Sequence, residues 1–368
     1  MIYLLMTADY EVFGDGSGDV KTCMIDPADA LLSVLERHGA RLTIFFEVCE
    51  YWALKEAEAD GLLAHLDYSP SRLMEEQARD AVSAGHDVQL HLHPQWVGSR
   101  YRDGRWWMNF DCWRLPNLSD SPCSRGEVSS LCGIFRKGRE TLEAMLRPVK
   151  PDYRCVAFRA GAWCIQPEED VLRAMSENNF LIDSTVAPGL HADDGLNYYD
   201  FRRVGSGNAL WKISDSVSSH DPQGELFEIP ISTMKVPGWR LFFSKLSRRL
   251  SRRSGVRAPQ AAGYYPAMCG PSLAGEVSRH LSPQPVMFDY CTLTAGEMEA
   301  FVTRAVAEDK SGTIRPLVAI GHPKNLAAID ELEIFMDVCS ERYVNRGLLS
   351  FATFREVADM LKPSGTKP

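Results

Sequence analysis

The sequence predicts an α/β barrel, on two observations. Short strands apolar on both faces alternate with capped helices along the chain, as in a parallel sheet with helical crossovers. Seven or eight such units in 368 residues suit a closed or nearly closed barrel better than an open sheet. At 45% hydrophobic and 24% charged residues, the chain can bury a sizeable core.

The elements follow in order. "IYLLM" (2–6) reads as the first strand. A helix spans 26–39, with Asp26 as N-cap, Pro27 at the first helical position and Gly39 as terminator. Strand 41–48, a capped helix over 69–85 and strand 86–93 come next. Beyond lie a helix at 126–146, strand 155–161, a helix from Glu168 to Asn178, and strands 180–185 and 226–232. Helix 294–308, strand 316–322, helix 328–345, strand 348–354 and a last short helix complete the series, with no internal repeat. One domain is expected over 1–362, with insertions at about 94–125 and 233–290 and a tail at 363–368. The first insertion holds Trp96, Trp106, Trp107 and Trp113; the second carries Arg248, Arg249, Arg252, Arg253 and Arg257. The stretch 236–257 reads as a basic amphipathic helix or loop, suited to peripheral contact with anionic lipid or to a diphosphate.

A net charge of −9 argues against a general nucleic-acid partner. The ten cysteines form no CxxC pair, which favours reduced thiols. The N-terminus is too short for a secretory signal, and no apolar run approaches the ~18–20 residues that span a bilayer. A cytoplasmic protein is expected, placed against the inner face of the membrane if 236–257 touches lipid.

Residues two apart on a strand share a face. His91 and His93 therefore project together from one strand end, and in parallel barrels that end carries the active site. Two imidazoles there suit zinc or a neighbouring divalent metal. Asp9 and Glu11 share a face in the same way, offering one carboxylate as a third ligand and the other as a base. Asp15 and Asp19 fit a solvated acidic loop, and His86, at the other end of its strand, fits a structural role. Arg159 ends a strand where it can pair with the base, and His322 ends another where it can act as general acid. Asp183 and Ser184 stand where they can fix neighbouring groups, and Glu47 is a spare carboxylate, a supporting partner more readily than a ligand. Trp96, Trp106, Trp107, Trp113 and Trp163 offer faces on which a pyranose can stack, two of the five being expected to touch substrate.

"TADYE", "LTIFFE", "GHDVQLHLHPQW", "FRAGAW", "DSTV" and "GHP" occur in the order of the polysaccharide deacetylase (NodB homology, carbohydrate esterase family 4) motifs, and the resemblance covers roughly residues 3–323. It is similar above all to divergent cytoplasmic members of O-antigen and surface-polysaccharide gene clusters. The resemblance implies a distorted (β/α)7-type barrel and metal-dependent removal of an acyl group, acetyl above all, from an N-acylated sugar; the basic stretch 236–257 suits one that is lipid-linked or nucleotide-linked. It implies Asp9 as catalytic base, Arg159 as its tether, His322 as acid, and Glu11, His91 and His93 as ligands of a divalent metal, most simply zinc. Trp96, Trp106, Trp107, Trp163 and Asp183 are the expected substrate contacts. Tyr10 stands where the family places a second aspartate, and Gln95 where it places the second histidine. These departures motivate a second reading, a non-catalytic carbohydrate-binding protein. A glycoside hydrolase using Asp9 and Glu11 ranks last, because carboxylates on one strand face sit too close to flank a glycosidic bond.

Overall fold

The computed structural model describes residues 1–119, 127–207, 209–237, 259–268, 282–309, 313–326 and 329–362. Its core is one α/β sheet curled into a barrel-like shape. Seven parallel strands make up its continuous row: β1 (Ile2–Tyr10), β2 (Leu42–Glu47), β3 (Asp87–Leu92), β6 (Ala157–Ala160), β7 (Ile182–Asp183), β11 (Leu226–Glu228) and β14 (Arg315–Gly321). The order across the sheet is β11-β7-β6-β3-β2-β1-β14, with β10 (Trp211–Ile213) antiparallel on β11 and β15 (Leu349–Phe351) parallel to the first residues of β1. Beyond β11 the chain turns back to β14, where Ile231 bridges Val318 and Ser232 N–H donates to Val318 O at 3.1 Å. The two ends of the curled sheet therefore meet.

Helices α1 (Asp26–Arg37), α2 (Val48–Ala59), α3 (Pro70–Ser83), α4 (Leu131–Leu146), α5 (Glu169–Glu177), α6 (Ala295–Ala307), α7 (Ile329–Cys339) and α8 (Phe354–Leu361) link the strands. Local chemistry sets several starts: Ser69 and Ser130 cap α3 and α4, and Thr294 with Glu297 and Thr353 with Glu356 form capping boxes. The Asp26 cap does not form. A π-turn over Lys21–Ile25 runs directly into α1, so the chain is already helical and Asp26 lies inside. Gly39 does end that segment, with φ +64°. α2 escapes the sequence pattern because buried residues occur around much of its circumference, including Glu50 and Tyr51. Strand alternation divides the core in two. Leu5, Phe45, Ala157, Ile182 and Ile229 fill the barrel interior, closed from below by Phe354 against Phe45, while Leu4, Phe46, Leu90 and Phe158 pack outward on the helices.

The first insertion is an antiparallel hairpin, β4 (Arg100–Arg102) and β5 (Arg105–Trp107), followed by short 3₁₀ turns. A second ribbon, β8 (His191–Asp193) with β9 (Tyr198–Asp200), lies between β7 and β10. β12 (Thr233–Val236) pairs with β13 (Gln284–Met287) at the base of the second insertion, whose arginine run lies outside the described residues. Among the described residues, no helix is long and apolar enough to cross a membrane, and eight cysteines are free thiols.

Candidate active site

The C-terminal ends of the strands surround a cavity of about 240 Å³ lined by Asp9, Glu11, Phe13, Gly14, His91, His93, Trp113, Ala162, Trp163, Tyr265, His322, Lys324 and Asn325. Strand register sets the layer beneath it. Glu47, His91 and Arg159 are direct neighbours across β2, β3 and β6, so their side chains point to the same side, into the barrel. Asp9 and Glu11 enter from β1 and the residues after it, while Tyr10 points the other way. Its hydroxyl donates to Gln77 Oε1 at 2.6 Å on α3. Tyr10 is thus a packing residue between strand and helices, which accounts for the departure there.

Arg159 is fully buried and fixed at four points. Nη1 donates to Asp9 Oδ1 at 2.5 Å and to Thr7 Oγ1 at 3.1 Å, while Nε and Nη2 donate to the backbone oxygen and hydroxyl of Ser184. Its guanidinium also lies 4.0 Å over the Phe45 ring. Burial alone would raise the Asp9 carboxyl, but Arg159, His91 and His322 outweigh it and hold Asp9 below its ordinary value. Asp9 Oδ2 is 3.6 Å from His322 Nε2. Burial keeps His322 below the usual imidazole range.

Glu11 is answered on both oxygens. Oε2 lies 2.6 Å from His93 Nε2 and 3.4 Å from His91 Nε2, and Oε1 accepts from Lys324 Nζ at 2.7 Å. Lys324 is itself buried and also donates to Val12 O at 2.7 Å. Lys324 stands two residues after His322, in the 3₁₀ turn Pro323–Asn325 that follows β14, and no pattern in the sequence marks it; nothing short of the fold places it against Glu11. Burial would raise Glu11, yet His93, Lys324 and His91 hold it well below the carboxylate range. Burial would lower His91, and Asp9, Glu11 and Glu47 instead push it to about 9.

Glu11, Glu47, His91 and His93 each bring a donor atom to within 4.8 Å of the others, all four buried. Glu47 Oε1 caps α2 by accepting from Cys49 N–H at 2.8 Å and Glu50 N–H at 3.4 Å. Its Oε2 is buried with no partner. A buried carboxylate oxygen left bare beside two imidazoles is what a cation would satisfy. Both rings are oriented from behind: His91 Nδ1 meets Arg159 O at 2.9 Å, and His93 Nδ1 meets the Gln95 side-chain amide at 2.9 Å. A cation on Nε2 requires a proton on Nδ1. Arg159 O accepts it from His91, and the Gln95 amide, turned over, offers its otherwise unpartnered Oε1 to His93. The donor set therefore fits a divalent cation, with Glu47 in the cluster rather than behind it. Gln95, at the position where the resemblance places a ligand, holds one instead. Gly161 of "FRAGAW" permits the arrangement, since a Cβ there would lie 2.6 Å from three ring atoms of His93.

The expected substrate contacts divide. Trp163 lines the cavity, presented by the consecutive left-handed residues Ala162 (φ +50°) and Trp163 (φ +57°). Trp113 also lines it, with its ring 6.0 Å from His93. Trp96 is buried and packs edge-on against Trp106 at 5.1 Å, so both serve the loop's own core; Trp107 lies on the outer face of the hairpin, away from the cavity lining. Asp183 cannot reach a substrate. Ile182 fills the barrel interior, so alternation turns Asp183 outward, and it is fully buried there beside its register partner Glu228. Asp183 Oδ1 accepts from Thr185 Oγ1 at 2.6 Å, and burial pushes Asp183 up to about 6 and Glu228 well above the carboxylate range. Asp15 is not solvated: it is buried, and Oδ2 accepts from Gly263 and Tyr264 N–H at 2.9 Å each. His86 is structural, its Nδ1 accepting from Leu42 N–H at 2.9 Å.

No family model and no curated protein sequence matches the chain. Solved structures of similar outline include a protein of Mycobacterium smegmatis described as a polysaccharide deacetylase, at 15% identity and TM-score 0.41 over 100% of this chain and 94% of that one. A GH57-type branching enzyme from Pyrococcus horikoshii aligns at 11% identity and TM-score 0.49, over 98% of this chain and 71% of that one. A 4-alpha-glucanotransferase from Thermococcus litoralis aligns at 10% and 0.44, over 99% and 40%.

Proposed function

We propose that the protein is a metal-dependent hydrolase that removes an N-acyl group, acetyl above all, from a sugar. The observation that carries this reading is the arginine-tethered carboxylate, Asp9, beside a separate buried cluster of Glu11, Glu47, His91 and His93. A general base held apart from a ligand set is the arrangement that amide hydrolysis by activated water requires. A bound divalent cation, zinc in the simplest case, would polarise the acyl carbonyl and lower the pKa of the attacking water. Glu11 is limited to one oxygen for that cation, because Lys324 occupies the other.

The chain's own residues supply the proton path. Asp9, fixed by Arg159, takes a proton from the attacking water. His322, 3.6 Å away, is one transfer from that proton and delivers it to the departing amine. Trp113 and Trp163 present aromatic surfaces to the sugar in a cavity of about 240 Å³. We read the fold as a distorted (β/α)7-type barrel in a single domain over 1–362. The acceptor is read as a surface-polysaccharide or O-antigen precursor handled in the cytoplasm or at the inner face of the membrane.

Metal analysis of the purified protein and of His91→Ala and His93→Ala tests the reading. One equivalent of divalent metal in the parent, lost in both variants, with acid release from an N-acetylated oligosaccharide, is expected. A metal-free parent that binds sugar without releasing acid would leave the carbohydrate-binding reading instead.

A further inference from the structure

The β4–β5 hairpin carries chemistry that the proposed reaction does not use. Its turn, Asp103 (φ +55°) and Gly104 (φ +75°), has both central residues left-handed, which keeps the strands in tight register. In that register Tyr101 faces Trp106 on the inner side, their rings 5.3 Å apart. Arg100 faces Trp107, and Arg102 faces Arg105, all on the outer side.

That outer face is cationic and aromatic. The Arg105 guanidinium lies 3.8 Å over the Trp107 ring and 4.7 Å over the Tyr264 ring, and Arg102 lies 5.4 Å over Trp107. Trp107 and Tyr264 are 44% and 45% exposed, so the rings sit at the surface rather than in the core. Arg102 has Asp103 at 3.5 Å, whereas Arg100 and Arg105 have no acidic partner among the described residues. A guanidinium held over aromatic rings by cation–π attraction keeps N–H groups for the fork that phosphate oxygens match. In a chain of net charge −9, such a face stands against the background.

Its position relates it to the cavity. Asp15 clamps Gly263 and Tyr264 by their N–H groups, and the next residue, Tyr265, lines the cavity with Trp113, 5.9 Å from its ring. Gly16, in the same loop as Asp15, sits against Trp106 of the hairpin. One wall therefore joins the donor cluster to the arginine face.

We propose that the outer face of this hairpin, Arg100, Arg105 and Trp107 with Tyr264, binds a phosphoryl or diphosphoryl group carried by the substrate beside its N-acyl sugar. The inference depends on the deacylase reading only for which part of the substrate enters the cavity. The hairpin's closeness to that cavity favours the substrate's own phosphate over a lipid headgroup in a membrane.

Calorimetric titration of the metal-free protein tests it, with inorganic pyrophosphate, a uridine-diphosphate-linked N-acetylhexosamine, neutral N-acetylglucosamine and phosphatidylglycerol vesicles as probes. Pyrophosphate and the nucleotide sugar should bind, and Arg105→Ala and Arg100→Ala should each weaken both by about tenfold or more. Arg154→Ala, which removes an exposed cation paired with Asp359, should leave both unchanged. Equal melting temperatures of parent and variants exclude unfolding as the cause. No pyrophosphate binding, equal binding in the Arg100→Ala/Arg105→Ala double variant, or hairpin-dependent binding to vesicles alone would overturn the proposal. If the variants lose pyrophosphate but the parent releases no acid from any N-acyl sugar, the hairpin inference stands and the deacylase reading falls. If neutral N-acetyl oligosaccharides are deacylated and pyrophosphate never binds, the reverse holds.

Discussion

Two groups of buried carboxyls lie a few strands apart and have met burial in opposite ways. Inside the barrel mouth, Asp9 and Glu11 are answered by Arg159, Lys324 and imidazoles, and both stay ionised although burial opposes it. On the outer face, Asp183 and Glu228 are register partners with bare, buried Oδ2 and Oε2 atoms, and both are raised. Two carboxyls so placed share a proton between them. The first group is built to hold charge and so suits a cation and a base. The second is built to stay partly protonated and so suits a structural clip between β7 and β11.

Asp9→Asn breaks the comparison most severely. It keeps the shape of the site but removes the base, so turnover should fall by ~10²–10⁴-fold while metal content is unchanged. Full activity in that variant would remove Asp9 from the mechanism. Lys324→Met comes next. It strands Glu11 Oε1 and Val12 O, and should cost about 3–5 kcal/mol in denaturant unfolding of the metal-free protein. Added divalent metal should then raise the variant's melting temperature more than the parent's; an equal rise would separate Lys324 from the cation site.

Gly161→Ala pushes a methyl group into the His93 ring, so metal affinity should drop by about 10–100-fold in a competition titration, with His91 and Glu11 untouched. Asp183→Asn should be mildest. Its folded value of about 6 stands above the ordinary 3.8, so the folded state holds the extra proton and stability falls as pH rises between those values. The asparagine variant should lose that slope, a difference of about 2 kcal/mol between unfolding titrations at pH 4 and pH 7. Loss of bound metal in this variant would show that the two groups are not independent.

Much of the interior was legible from strand period alone. Asp9 sharing a face with Glu11, Tyr10 turned away, and His91 sharing a face with His93 all follow from alternation counted on apolar runs. Counting failed where the run was short. The 180–185 segment forms strand pairs only at Ile182 and Asp183, so its strand end could not be read from the pattern, and Asp183, expected to touch substrate, is buried away from the cavity instead. The aromatic insertion failed for a related reason, since four tryptophans of equal apolarity give no sign of which will pack and which will line a cavity.

By itself, then, the sequence determined which residue types stand at the strand ends and which neighbours share a face, because both depend on a local backbone repeat. The tertiary structure alone decided who meets whom. Lys324 reaches Glu11 across 313 residues and Arg159 reaches Asp9 across 150. Glu47 Oε2 is left bare beside two imidazoles, and Gln95 stands behind His93 instead of at the cluster. Charge, protonation and ligand capacity are properties of those long-range meetings, set by burial and by the neighbour across the barrel rather than by the residue two places along the chain.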